Sequence, residues 1–308
     1  MIVTTNKPKR PHPQAHGRKP RKDHTKHMEI YRRFLKSDRW EEWRKLETDQ
    51  RKGVPPPLPQ KPYPEDAKLV SLVSPEKLTI GRMPLIEAIR RRRSRRVYTE
   101  QPFTLEELSF LLWATQGISK ITTHDVGEDL YKALTLARTV LRTVPSGGAR
   151  HPFETYLLVN RVTGVEPGLY RYLPLENKLC LLSADPELAR QTHEANYEQY
   201  VENSAVTFIW TAIPYRTEWR YSILSPKLIA QDSGHMCQNL YLACEAIGAG
   251  TCAVGAYDQE KMDKVLGVDG KEFTIYVAPA GKAKSPVEPS QKIDLVHDKT
   301  TRARRASV

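Results

Sequence analysis

Apolar positions along this chain change their spacing several times, and each change marks an element. Residues 1–27 carry Lys, Arg, Pro and His with almost no large apolar side chain. Such a stretch cannot bury enough surface to offset its ordering entropy, so it reads as disordered. From Met28 to Lys52, Ile30, Tyr31, Phe34 and Leu35, then Trp40, Trp43 and Leu46, recur at spacings of three to four, as in one amphipathic helix or a pair. Ser37 and Asp38 mark a break, with Asp38 and Glu41 at capping-box spacing, and the tryptophans read as anchors onto the body or a partner subunit. Gly53 to Pro64 (GVPPPLPQKPYP) reads as a stiff, extended strap across the surface.

The body begins near Leu78. Pro84 to Arg91 reads as a short helix with Leu85, Ile86 and Ile89 inward. Thr104 to Gln116 is a second helix, capped by Thr104 with Glu107 three residues on and ended by Gly117. Residues 118–144 have mixed character and read as a mobile insertion. Phe153–Val159 reads as a strand, and Gly168–Leu173 with Lys178–Leu182 as a hairpin-like pair. The nearly continuous apolar run Ala205–Ile213 reads as a buried strand. Long and short helices follow at Pro226–Ile247 and Asp258–Leu266, with a closing strand at Phe273–Ala278. The class is therefore α+β, with helices around one mixed or antiparallel sheet. The expected divisions are a disordered basic tail (1–27), a helical and proline-rich extension (28–77), a main domain (78–290) and a basic C-terminal tail (291–308).

Charge sharpens this division. Of the net +12, +9 belongs to residues 1–60, which hold 16 basic and 7 acidic residues, so the remainder carries only +3. The basic arm could hold nucleic acid or another anionic partner, but without interleaved aromatics it reads first as a solubilising tail, and nucleic acid is not the expected partner. No apolar run approaches the roughly 20 residues of a membrane span. The first residues lack a signal-peptide core, so the chain reads as cytoplasmic. Cys180, Cys237, Cys244 and Cys252 form no CxxC pair or Cys/His cluster and read as reduced packing residues. No metal site is expected.

Three segments carry candidate chemistry. In the first, RRSRRVY (Arg92–Tyr98), extended backbone would turn Arg92, Ser94 and Arg96 to one side. Two guanidiniums and a hydroxyl there could grip a phosphate; the alternative is a solvated basic run. The second, PSGGARHP (Pro145–Pro152), has glycines that let backbone approach a flat ring, or else is an ordinary loop. The third, Gly248–Tyr257, is another glycine-rich approach, reached by a helix bearing Asp232-Ser233-Gly234-His235. His235 suits a base by its ordinary pKa but reads first as structural.

In this order and spacing the three segments resemble the nitroreductase-like flavoprotein family, especially its SagB-type branch of azoline-oxidising dehydrogenases, over roughly residues 80–282. The resemblance implies a nitroreductase-like fold and a homodimer with FMN at the subunit interface. It implies that Arg92, Ser94 and Arg96 bind the FMN phosphate and ring edge. Pro145, Ser146 and Gly147 would pack on the isoalloxazine, with Arg150 toward the phosphate or ribityl chain. Backbone N–H groups of Val254, Gly255 and Ala256 would face flavin N5. The implied activity is ping-pong hydride transfer through N5 to or from a small-molecule or peptide substrate. No G-x-G-x-x-G is present, so NADH or NADPH would be a transient donor. Azoline-oxidising members carry a Lys-Tyr pair before the central helix, where this chain reads Trp219-Arg220-Tyr221. Arginine stays protonated and cannot act as a base, which leaves Tyr221 as the candidate catalytic residue. Peptide azoline oxidation is thus one alternative, and a non-catalytic protein that binds an anionic partner through its basic arm is another.

Overall fold

The computed structural model describes residues 22–122 and 139–284. Readings made on residues 1–21, 123–138 and 285–308 lie outside the described residues. These include most of the basic tail, the middle of the 118–144 insertion and the C-terminal tail.

The fold is built around the two strands whose sequences are most continuously apolar. Strands β4 (Phe153–Val159) and β7 (Val206–Ala212) are buried along their whole length and pair antiparallel in full register, Phe153 opposite Ala212 and Val159 opposite Val206. Strands β5 (Gly168–Leu173) and β6 (Lys178–Ser183) form the expected hairpin beside β4. Strand β1 (Leu69–Ser71) closes one edge on β6. On the other side β9 (Phe273–Lys282) pairs with β7, and the short β8 (Ala249–Thr251) forms the far edge. The order β1-β6-β5-β4-β7-β9-β8 is antiparallel at every pairing. The sheet is therefore antiparallel rather than mixed.

Alternation along the strands makes two cores. Leu157, Phe208 and Trp210 face a layer containing helix α4 (Leu105–Gln116) and the central helix α7 (Ser225–Ala246). Tyr156, Leu158 and Ile209 face the other layer, beneath α5 (Glu187–Ala195) and α8 (Gln259–Leu266). Each fully buried Leu or Phe contributes about 1.5–3 kcal/mol, so these layers outweigh any cap or surface ion pair. Where polar residues enter the sheet they are matched: Glu154 of β4 pairs with Arg216 of α6 (Tyr215–Tyr221), and Thr211 donates to Glu272 at 2.6 Å. All four cysteines are free and buried, as packing residues should be.

Several local expectations change. Helix α1 (Lys22–Arg33) begins inside the stretch read as disordered. The break near Ser37 exists, but α2 (Trp40–Arg44) has Arg39 at its N-cap and no side-chain cap. The carboxylates there are taken by arginines, Glu41 by Arg44 and Glu42 by Arg39. Helix α3 (Leu85–Arg91) forms, yet Leu85, Ile86 and Ile89 are 64%, 57% and 57% exposed. Ala88 is its buried residue, because the apolar face turns away from the body. The Thr104–Glu107 capping box is complete in both directions. Part of the 118–144 insertion is a two-stranded ribbon, β2 (Ile118–Thr122) against β3 (Thr139–Arg142).

The proline strap crosses the surface and is held by side chains. Arg142 donates to Pro59 O at 2.8 Å, Arg171 to Pro62 O at 2.7 Å, and Trp219 to Val54 O at 2.8 Å. In return the strap's Lys61 N–H donates to Glu154 at 2.9 Å. Proline lacks the N–H a sheet ladder needs, so the strap's carbonyls are satisfied by guanidinium and indole donors instead.

Candidate functional site

After α3 the chain runs extended, and Ser94 forms an isolated parallel bridge with Thr251. Side chains therefore alternate. Arg95 turns inward to an ion pair with buried Glu245 at 3.0 Å and fills the space beside Gly250, where any added Cβ would strike it. Arg92, Ser94 and Arg96 take the other side. The Arg92 guanidinium lies 5.4 Å from the Tyr241 ring centre and that of Arg96 5.9 Å from Tyr200. Ser94 Oγ lies 3.0 Å from Tyr241 Oη. The same Oη accepts the Ala253 N–H at 2.8 Å, tying this segment to the third glycine-rich one. Arg91 and Arg95 have carboxylate partners; among the described residues Arg92 and Arg96 have none, so their donors are available to an anion.

A second group gathers around the turn before β4. Ser146 Oγ donates to buried Asp232 of α7 at 2.6 Å and accepts the His151 N–H at 2.9 Å, while Gly147 N–H donates to Asp232 at 3.0 Å. Burial raises the Asp232 pKa, and those two donors oppose the shift. Gly148 has φ 59°, and a Cβ there would fall 2.6 Å from the Tyr221 hydroxyl, so glycine is what lets Tyr221 close on the turn. Tyr221 in turn stacks on Trp43 (6.1 Å, 29°) and meets Trp40 edge-on at 6.4 Å. Trp43 Nε1 donates to Arg220 O at 3.2 Å. Both tryptophans anchor the N-terminal extension, as their spacing predicted. His235 is half-exposed, its Nδ1 3.3 Å from Pro145 O and 3.9 Å from Asp232.

The structure thus joins Arg92, Ser94 and Arg96 with the Gly250–Ala256 segment, and Pro145, Ser146 and Gly147 with Tyr221. It does not join these groups to each other. Asp232 and Tyr241 are nine residues apart on one helix, so they project from opposite sides about 13 Å apart along its axis. Arg150 belongs to neither set of ligand donors. Its guanidinium lies 5.0 Å over Trp219 and its Nε donates to Gly148 O at 3.2 Å.

The Val254 expectation needs correction. Its N–H donates to Val277 O at 2.8 Å and the residue is 4% exposed, so that donor is spent on the sheet and cannot face a ligand. Gly255 and Ala256 are exposed, and Ala256 O accepts from Gln199 at 2.9 Å. Tyr241 and Tyr200 were missed by sequence reading. Tyr241 lies six positions beyond His235 on the same helix, and only the fold brings its hydroxyl between Ser94 and Ala253.

The chain is also similar to known proteins. The model of the "Nitroreductase family" matches residues 89–282, which run from the end of α3 to the end of β9. A protein of Methanocaldococcus jannaschii named as a nitroreductase is 30% identical over 204 residues, 66% of this chain and 93% of that one. A trifolitoxin-processing protein of Rhizobium leguminosarum bv. trifolii is 27% identical over 172 residues, 54% of this chain and 43% of that one. A crystal structure named as a nitroreductase of Anabaena variabilis superposes with TM-score 0.56 at 22% identity, over 71% of this chain and 42% of that one. This chain thus spans under half the length of the last two proteins. The matched segment carries both residue groups and all strands of the main sheet except β1, and on these grounds the chain belongs to the nitroreductase family.

Proposed function

We propose that the protein is an FMN-dependent oxidoreductase acting as a homodimer. The observation that carries this reading is the pair of guanidiniums on Arg92 and Arg96, without carboxylate partners among the described residues, flanking Ser94 beside the exposed Gly255–Ala256 backbone. This donor set fits a phosphomonoester. Bound there, FMN would supply a two-electron carrier with N5 as the hydride position. Arg92, Ser94 and Arg96 would hold its phosphate, and the Gly255 and Ala256 N–H groups lie free of the ladder to donate to the ring. Pro145, Ser146 and Gly147 offer a flat backbone surface, but from the opposite side of α7. A second copy of the chain brings its own turn to this chain's arginines, and the exposed α3 face of Leu85, Ile86 and Ile89 supplies apolar surface for that copy. Tyr221, against that turn, is the phenol we assign to hold or give a proton near the ring, while the Tyr241 hydroxyl is engaged by Ser94 and the Ala253 N–H.

A peptide substrate is the second reading, favoured by the likeness to the trifolitoxin-processing protein. Arg220 in place of a lysine counts against azoline proton abstraction, which would then rest on Tyr221 alone. NADH or NADPH enters as a transient donor, and the reaction is proposed to take place in the cytoplasm.

The test is the absorption spectrum of the purified protein with identification of the chromophore released on denaturation. Near-stoichiometric FMN is expected. Arg92→Ala and Arg96→Ala should each weaken FMN by about tenfold to a hundredfold, from charge-assisted contacts worth about 1.5–3 kcal/mol. Unchanged affinity in the double variant would remove the phosphate assignment.

A further inference from the structure

We propose that the cavity beneath the proline strap, walled by Arg142, Arg150, His151 and Arg216, binds a small monovalent anion such as chloride or formate. The cavity measures about 30 Å³ and is closed on one side by Pro56, Pro57 and Pro59. A water needs roughly 10–15 Å³ on this measure, so the space suits one small ion and excludes a nucleotide or an aromatic ring.

Its wall is strongly cationic. Among the described residues that line it, three are arginines and none is acidic. Arg142, His151 and Arg216 are 8%, 4% and 3% exposed. One carboxylate, Glu154, reaches Arg216 from behind, and it also accepts the Lys61 N–H. The acceptors described for Arg142 are neutral: the Gln116 side-chain oxygen and Pro59 O. Its Nε has no partner among the described atoms. A buried charge is costly unless it is paired, and hydrogen bonds to neutral oxygens solvate a guanidinium without neutralising it. Two guanidiniums, those of Arg142 and Arg150, thus line the cavity in excess over the carboxylate.

The electrostatic consequences agree. Burial, and then the Arg216 charge, push Arg142 down to about 10. Burial lowers Arg150 with Arg220 adding to it. His151 falls to about 2 through burial and then the charges of Arg142, Arg150 and Arg216. Its neutral ring keeps one N–H, and among the described residues no hydrogen bond engages that ring. An anion would accept from it and from the guanidiniums at once. Because Arg150 Nε also donates to Gly148 O, such an ion would brace the glycine turn from behind. This assignment does not depend on flavin.

The experiment follows thermal unfolding of the full-length protein at fixed ionic strength while gluconate is replaced by chloride or by formate. The expected result is a rise that saturates with either ion, by about 2–3 °C at tenfold the Kd, and that is lost in Arg142→Met. Bromide-soaked wild-type crystals should show an anomalous peak within reach of Arg142 and Arg150, which decides the matter even where the variant does not fold. A linear drift with chloride and formate, an equal response in Arg142→Met, or no peak at the arginines would overturn the proposal.

Discussion

Gly148, Ala149 and His151 hold left-handed backbone, with φ of 59°, 53° and 45°, in the turn that carries Ser146 and Gly147. Strain gathered in so few residues persists only where surrounding contacts fix it, here Asp232 on one side and Tyr221 on the other. Gly148→Ala should displace Tyr221 and cost about 1–3 kcal/mol, read as a lower urea midpoint. His151 provides a pH test. Its folded pKa is depressed, so the folded state stays neutral while the unfolded chain takes up a proton below about 6.5. Its contribution is therefore intact above that pH and lost as pH falls. Between pH 7.5 and 5.0 wild type should lose about 2 kcal/mol more than His151→Asn, a substitution that tolerates the left-handed backbone. Urea titrations at both pH values check this. Single residues were also where the sequence was least legible. The alternation that sends Arg92, Ser94 and Arg96 to one side could be read from spacing, but nothing local told that Val254 would spend its N–H on β9.

Helices and strands with a complete local signal were legible. Phe153–Val159 and Ala205–Ile213 stood out because both faces of the sheet are covered, and α4 because Thr104 and Glu107 satisfy each other. Thr104→Ala should cost about 0.5–2 kcal/mol, visible in the denaturation midpoint. Elements whose stability comes from neighbours left no such trace. Helix α5 is mostly polar and β1 has three residues, so neither declares itself. Helix α3 shows the converse: its apolar spacing was read correctly, but spacing alone does not say what covers the face. The pairing of α2 with Tyr221 rests on aromatic stacking across the chain. Trp43→Ala should cost about 0.5–3 kcal/mol and Trp43→Phe less, since phenylalanine keeps the stack; chemical denaturation of the pair measures the difference.

For the whole molecule, the proposed homodimer is what would bring the two residue groups on opposite sides of α7 into one site. Ile86→Glu with Ile89→Glu should convert a dimer to a monomer and release FMN together, which light scattering and the flavin spectrum would record side by side.

The pairing of β1 with β6 has a practical reach. Residues 89–282 look like a complete unit by family likeness, yet Leu69–Ser71 covers the outer side of Lys178–Ser183, a strand with three leucines. A protein started at residue 89 would present that strand's unpaired amides to solvent as a template for other chains. Such a shortened protein should be recovered as soluble oligomers or inclusion material whatever its flavin content, and adding back residues 54–88 should restore discrete particles.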